Sequence, residues 1–266
     1  MIDPKNIIKN LPENEAQEYA DLQLSTQLKN MQKLVTGDFL NFVKYMWPEF
    51  IEGKHHRDIS QKFNDLSTGK INRLIVNMPP RHTKSEFASY FLPAWMIGKN
   101  PNLKIIQATH TADLAIDFGR KTKNLVDDEK YHEMFDTRLQ EDSQAAGKWK
   151  TEQGGEYFAA GVGGAITGRG ADLLIIDDPH KEQDLKGDGS AFDKAWNWYM
   201  SGPRQRLQPG GKIVLVMTRW STKDLTGKLI QEMANEDGDE WDIVELPAIL
   251  PNDKPVWPEY WDTKEL

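Results

Sequence analysis

Residues 74–86 read Leu-Ile-Val-Asn-Met-Pro-Pro-Arg-His-Thr-Lys-Ser-Glu. The apolar start predicts a buried strand, and the Pro-Pro pair predicts a loop that opens a helix from about Lys84 to Ile97. The backbone N–H groups of such a loop and the helix N-terminus can converge on an anion. In the spacing GxxxxGK(S/T), Lys84 and Ser85 take the last two positions. The segment therefore predicts a phosphate loop in which Lys84 reaches the β- and γ-phosphates and Ser85 ligates Mg²⁺.

Both glycines of that spacing are replaced, the first by Met78 and the second by Thr83. If the chain needs a positive φ at Thr83, the side chain costs on the order of 1 kcal/mol. Arg81 adds a second cation to the loop. Taken alone, the segment also fits a Pro-rich turn with an exposed Lys-Ser pair.

A second apolar strand, 173–176, ends in Asp177 and Asp178. In phosphate-loop enzymes the first such carboxylate holds Mg²⁺ through water, and the next acid polarises the attacking water. Asp178 is one methylene shorter than the Glu expected there. Because parallel strands end at one sheet edge, we expect both motifs to meet there. Two acids that cap a strand end are the alternative.

Two further segments carry candidate residues. Arg169 lies in the glycine-rich stretch 154–170, and it is either a solvated loop residue or an arginine finger for its own or a neighbouring site. Thr218, Arg219 and Trp220 follow the strand predicted over 212–217. Their position suits a γ-phosphate sensor, and an ordinary strand-to-helix turn is the alternative.

The rest of the pattern alternates strands with helices, which predicts a mostly parallel sheet covered on both faces. Strands are expected at 74–76, 104–108, 173–176, 212–217 and 241–246. Helices are expected at about 14–36, 39–46, 55–67, 84–97, 112–126, 191–206 and 224–234. Asp38 is the expected N-cap of the second helix, and Thr111 or Asp113 that of the fifth.

Composition excludes several classes of protein. The 266 residues carry a net charge of −8, which excludes a uniformly basic nucleic-acid binder. The absence of Cys excludes a disulfide scaffold, a cysteine nucleophile and thiolate metal sites. The longest apolar run, Ile213–Met217, is far too short to span a bilayer, so no membrane contact is expected. His55 and His56 are adjacent and cannot both face one side of a helix, and the other four His are scattered, so no histidine metal site is expected. A cytoplasmic setting is the default.

These motifs together resemble the ATPase domain of the large terminase subunit of tailed bacteriophages. The resemblance rests on PPRHTKSE at 79–86, TGRGADLLIIDDP at 167–179, MTRW at 217–220 and HHRDI at 55–59, and it spans about 37–250. It implies an α/β three-layer P-loop NTPase of the ASCE type, with a helical N-terminal segment. The implied ligands are ATP and Mg²⁺.

The resemblance also implies residue roles. The catalytic set is Lys84, Arg81, Asp178 and Arg169, the last acting across a subunit boundary. Ser85 and Asp177 hold the metal, and Thr218, Arg219 and Trp220 couple γ-phosphate state to movement. The nucleotide-binding set is Pro79, Pro80, Arg81, His82, Thr83, Lys84, Ser85, Glu86, His56 and Arg57.

The implied function is an ATP-driven motor that moves double-stranded viral DNA into a procapsid. Implied partners are the portal protein, the small terminase subunit and further copies in a ring, typically a pentamer. Such a motor works in the cytoplasm of the infected bacterium and transiently on the procapsid, and is absent from the mature virion. Other DNA-stimulated ATPases, such as a helicase lobe, and a weakly hydrolysing nucleotide-binding assembly module remain alternatives.

The expected organisation has three parts: a helical N-terminal segment at 1–68, an ATPase core at 69–250, and a Pro-rich acidic tail at 251–266. Family members carry a C-terminal nuclease domain, and the tail stands where a linker towards it would run. No DNA cleavage is therefore expected from this chain, and metal-dependent nicking by clean protein would contradict that expectation.

Overall fold

A computed structural model describes residues 12–166, 168–235 and 238–266. The first eleven residues of the predicted N-terminal segment and Thr167 of the TGRG motif lie outside this description. The α-helices are α1 (Glu13–Gly37), α2 (Phe39–Met46), α3 (Lys54–Ser67), α4 (Leu92–Lys99), α5 (Ala112–Val126), α6 (Glu129–His132), α7 (Ser190–Ser201) and α8 (Leu225–Glu232). The strands are β1 (Arg73–Asn77), β2 (Lys104–Thr109), β3 (Leu139–Ala145), β4 (Lys148–Thr151), β5 (Glu156–Gly161), β6 (Ala171–Asp177), β7 (Leu207–Met217) and β8 (Asp242–Glu245).

Side-chain caps start several helices where the sequence predicts them. Asp38 accepts a hydrogen bond from the Asn41 N–H at 2.9 Å and starts α2. Thr111, not Asp113, caps α5 by accepting from the Leu114 N–H. These caps satisfy backbone donors that have no partner within the helix.

The strands form one eight-stranded sheet in the order β3-β4-β5-β2-β6-β7-β1-β8. β5, β2, β6, β7, β1 and β8 run parallel, whereas β3 and β4 are antiparallel additions at one end. β7 therefore lies between the strand that leads into the Pro-Pro loop and the strand that ends in Asp177. This order brings the ends of all three strands to one edge.

Both faces of the sheet are buried, which gives the predicted three layers. Along β1, Leu74 and Val76 pack into the core beneath α2 to α5, whereas Ile75 packs into the core beneath α7 and α8. The first core also contains Phe39 and Phe63. The helices before residue 69 and the sheet therefore share one core.

Several local features separate the structure from the sequence prediction. The stretch 154–170, expected as a glycine-rich loop, contains β5, and the hairpin β3–β4 precedes it. The helix expected at 191–206 ends at Ser201, and a short 3₁₀ turn follows at Pro203–Arg206. Since Gly202 and Pro203 interrupt the helical pattern, that break has a clear local cause.

The helix after the Pro-Pro loop begins with a π-helical turn, Glu86–Phe91, before it continues as α4. The tail does not run free of the core: Val256 and Trp257 are buried. No helix in the described ranges is long and apolar enough to cross a bilayer.

Candidate functional site

Lys84 and Asp178 meet at the carboxyl edge of the sheet, as the parallel arrangement predicts. Lys84 Nζ lies 2.7 Å from Asp178 Oδ2, and the lysine is 8% exposed. The other Asp178 oxygen accepts a hydrogen bond from the Thr218 N–H at 2.9 Å. A nearly buried cation thus faces a carboxylate that is fixed on both oxygens.

The loop 79–85 holds two non-glycine residues in the left-handed region. Arg81 has φ 61° and Thr83 has φ 66°, whereas His82 between them has no positive φ. Such alternation turns backbone N–H groups toward one side and is typical of anion-binding nests. Thr83 therefore does adopt the conformation that would favour glycine, and its side chain adds conformational strain to the loop.

His56 holds Thr83 in that conformation. The Gly53 N–H donates to His56 Nδ1 at 2.8 Å, so Nδ1 is an acceptor and the ring proton lies on Nε2. Nε2 donates to Thr83 Oγ1 at 2.7 Å, and that hydroxyl donates to the His82 carbonyl at 2.6 Å. Burial, with the neighbouring His55, His82 and Arg57 charges, lowers the pKa of His56 to about 2, so the ring is neutral. The His56 ring thus contacts the loop through the Thr83 hydroxyl.

This contact predicts a specific order of stability at position 83. Thr83→Ala keeps the left-handed strain and loses both hydrogen bonds, whereas Thr83→Gly loses the same bonds but relieves the strain. We expect Thr83→Gly to be more stable than Thr83→Ala by about 1 kcal/mol in urea unfolding. Arg81→Gly is the matched control, and it should stabilise the protein because it relieves strain at an exposed side chain. Equal stability of the two Thr83 variants would show that residue 83 is not left-handed in solution.

Ser85 and Asp177 form the second part of the site. Ser85 Oγ donates to Asp177 Oδ1 at 3.0 Å, and Asp177 is 2% exposed. Burial raises the pKa of Asp177, and the nearby Asp178 carboxylate raises it further. The described residues contain no group of three or more His, Cys, Asp or Glu side chains that could hold a metal ion.

The segment after β7 connects these parts. Thr218 Oγ1 donates to the Met78 carbonyl at 3.2 Å, so Thr218 bridges the loop and Asp178. Arg219 instead points to Asp224, with Nε 3.1 Å from Oδ2, and the Trp220 and Ser221 N–H groups donate to the same oxygen. Asp224, fully buried, was not singled out from the sequence, although an Asp before a helical pattern is a cap signal.

Two predicted site residues, Arg57 and Arg169, form ion pairs with carboxylates other than Asp177 and Asp178. Arg57 is exposed and pairs with Glu52. Arg169 pairs with Glu156, and its guanidinium lies 4.0 Å from the centre of the Phe158 ring. β6 has seven residues, and at roughly 3.3 Å per residue its ends lie about 20 Å apart. Arg169 precedes β6 and Asp177 ends it, so Arg169 is beyond side-chain reach of Lys84 in the same chain.

An aromatic cleft of about 470 Å³ opens beside the loop. It is lined by Trp47, Glu49, Ile51, Arg81, Thr83, Glu86, Trp257, Tyr260 and Trp261. The Trp261 ring stacks on His82 at 5.9 Å between centroids, and Trp257 stacks on Tyr260 at 4.4 Å. The tail therefore forms one wall of the cleft. Sequence reasoning missed this wall because nothing in the local pattern links residues 257–261 to the loop.

No protein-family model and no curated protein matches the chain. Among solved structures, it is similar to the large terminase of bacteriophage HK97, with a TM-score of 0.51 and 14% identity over 77% of this chain and 41% of that one. The large terminase of a thermophilic bacteriophage gives a TM-score of 0.44 in complex with ATP-gamma-S (11% identity, 73% of this chain, 45% of that one). The ADP complex of the same terminase gives 0.41 (11%, 70% and 44%).

The chain spans less than half the length of each of these proteins. At 14% identity the HK97 likeness shows the fold. The resemblance stated from the motifs is confirmed at this level: the chain has the three-layer α/β fold of the matched part of the HK97 large terminase.

Proposed function

We propose that this chain is the ATP-hydrolysing motor domain of a DNA-packaging terminase. The observation that carries the proposal is the convergence of Lys84, Ser85, Asp177 and Asp178 at one sheet edge. A loop with alternating left-handed residues surrounds the lysine, and the fold is that of a large terminase. These features are what binding and hydrolysis of a nucleoside triphosphate require.

The proposed roles follow from position. Lys84 binds the β- and γ-phosphates, and an incoming phosphate competes with Asp178 for its ammonium group. Asp178, released from Lys84 and still held by Thr218, accepts a proton from the attacking water. Thr218 contacts both the loop strand and Asp178, so it is placed to respond to the γ-phosphate. Arg81, exposed at the mouth of the cleft, adds positive charge beside the phosphates.

A Mg²⁺ ion fits the donor set at this edge. The oxygens of Ser85 and Asp177 lie 3.0 Å apart, and Mg²⁺ is commonly bound by a carboxylate, a hydroxyl and substrate phosphates. Ser85 and Asp177 would hold the ion. When bound, Mg²⁺ neutralises charge on the β- and γ-phosphate oxygens.

The aromatic cleft is the proposed site of the nucleoside. It adjoins the loop, and the flat side chains of Trp47, Trp257 and Trp261 line it. Aromatic stacking suits a purine base. In this arrangement His56 is not a base contact, since both of its ring nitrogens are already bonded.

Arg169 is proposed to act in a neighbouring subunit's site. Its distance from Lys84 excludes a role in its own site in this conformation, so it serves as a finger only in trans, and it has to leave Glu156 to do so. Because a finger in trans needs a neighbour, the specific activity should rise with protein concentration.

A mixing experiment tests this role. Arg169→Ala should lose turnover at least about 100-fold and still bind ATP. Mixing it with inactive Lys84→Ala should restore activity, since the intact site of one chain meets the Arg169 of the other. Arg120→Ala, which removes an exposed arginine on α5, is the control. No recovery on mixing, or a loss of ATP binding in Arg169→Ala, would contradict the trans role.

The proposed partners are double-stranded viral DNA, the portal protein and the small terminase subunit, and the proposed assembly is a pentameric ring. The proposed place of action is the bacterial cytoplasm and, transiently, the procapsid. The segments 69–250 and 251–266 are proposed as the ATPase core and the tail that follows it. No nuclease activity is proposed for this chain.

The test is Mg²⁺-dependent ATP hydrolysis against protein concentration, with and without linear double-stranded DNA. The proposal expects turnover that DNA stimulates and that Lys84→Ala abolishes. Protection of DNA from nuclease inside portal-bearing procapsids then tests packaging. Strand displacement on a forked duplex would favour a helicase instead, and ATP binding without turnover under any of these conditions would favour an assembly module.

A further inference from the structure

The buried hydroxyl of Ser89 contacts Asp177, the carboxylate proposed to hold the metal ion. Its Oγ donates to Asp177 Oδ2 at 2.7 Å, on the oxygen opposite to the one that Ser85 contacts. Ser89 is 0% exposed and Asp177 is 2% exposed. The carboxylate is therefore held at both ends, and it cannot rotate without leaving an unpaired buried oxygen.

Gln107 fixes the direction of that hydrogen bond. Its Nε2 donates to Ser89 Oγ at 2.8 Å, so the serine oxygen accepts there and its one proton points to Asp177. Gln107 is also 0% exposed, and its Oε1 has no hydrogen-bond partner among the described residues.

The π-helical turn Glu86–Phe91 places Ser89 within reach of Asp177. Ser89 follows Ser85 by four residues, and the two hydroxyls contact different oxygens of one carboxylate. Wide turns of this kind occur frequently at functional sites. Backbone geometry and side-chain contacts thus point to the same carboxylate.

We infer that Ser89 and Gln107 are positioning residues for Asp177: they present its Oδ1 to the metal–nucleotide complex. The inference rests on the proposed function of the site. Outer-shell partners of this kind commonly change metal affinity by about 10- to 100-fold when they are removed. Neither residue reaches the substrate. Substituting either one should therefore change the affinity for Mg²⁺ and leave the affinity for metal-free nucleotide largely unchanged.

The experiment measures binding of a fluorescent ATP analogue, N-methylanthraniloyl-ATP, at increasing Mg²⁺ concentration. In Ser89→Ala, the Mg²⁺ concentration at half-maximal effect should rise about 10- to 100-fold. Metal-free binding of the analogue should stay within about 2-fold of wild type. Gln107→Met keeps the side-chain length and removes the amide donor, and it should shift the Mg²⁺ midpoint in the same direction by a smaller factor.

Thr122→Val is the matched control. The Thr122 hydroxyl donates to the Ser89 backbone carbonyl at 3.4 Å and does not touch Asp177, so its loss should leave the Mg²⁺ midpoint unchanged. An unchanged midpoint in both Ser89→Ala and Gln107→Met would overturn the inference. A variant that loses metal-free binding of the analogue together with a fall in melting temperature would also overturn it, because that result indicates a purely structural role. If the wild-type protein binds no nucleotide, both the proposed function and the inference fail.

Discussion

Lys84→Ala is expected to weaken binding of Mg²⁺-ATP by at least about 100-fold, which is about 3 kcal/mol. The Lys84 ammonium group lies 2.7 Å from the Asp178 carboxylate, and it is almost fully withdrawn from water. Without it, the phosphates would meet Asp177 and Asp178 with no buried positive charge between them. The fold should survive, because Asp178 is partly exposed and keeps its hydrogen bond from Thr218.

Isothermal titration calorimetry with ATP and Mg²⁺ measures this loss. Lys104→Ala removes the same charge from the start of β2, at the opposite edge of the sheet, and should bind as wild type does. Lys84→Arg keeps the charge but changes its shape, so only partial recovery is expected. Wild-type affinity in Lys84→Ala would remove the phosphate loop from the proposed mechanism.

The meeting of Lys84 with Asp178 could be predicted because two local patterns, each ambiguous alone, combine with one general rule. Each residue follows a short apolar strand, and parallel strands end at one sheet edge. The loop was predicted correctly although both glycines are missing, because Thr83 adopts the left-handed conformation that the spacing requires. What the pattern did not reveal is the partner that supports it, His56, which lies 27 residues earlier in the chain.

The hairpin β3–β4 escaped prediction for a different reason. Its first strand reads Leu-Gln-Glu-Asp-Ser-Gln-Ala and is mostly exposed at the edge of the sheet, so it shows little of the apolar alternation that marks a strand. The π-helical turn has no residue signature of its own. Ser89 and Gln107 come from separate elements, and only the tertiary fold brings them to Asp177.

Asp178→Asn is expected to change binding and turnover in opposite directions. Asparagine accepts the positive φ of 41° at this position, and its carbonyl can still accept from the Thr218 N–H. The variant loses the negative charge that competes with phosphate for Lys84, so ATP should bind more tightly, by about 10-fold. It also loses the group that accepts the proton of the attacking water, so turnover should fall by about 10²- to 10⁴-fold.

The opposite signs make this variant decisive beside Lys84→Ala, which loses binding and turnover together. Asp172→Asn is the matched control: it lies near the start of the same strand, where its carboxylate accepts from the Lys104 N–H, and should leave both quantities unchanged. Asp178→Glu lengthens the side chain by one methylene and should retain turnover, because it restores a carboxylate within reach of the attacking water. If Asp178→Asn binds ATP as weakly as Lys84→Ala does, then Asp178 supports the loop. If it hydrolyses ATP at the wild-type rate, then another group activates the water.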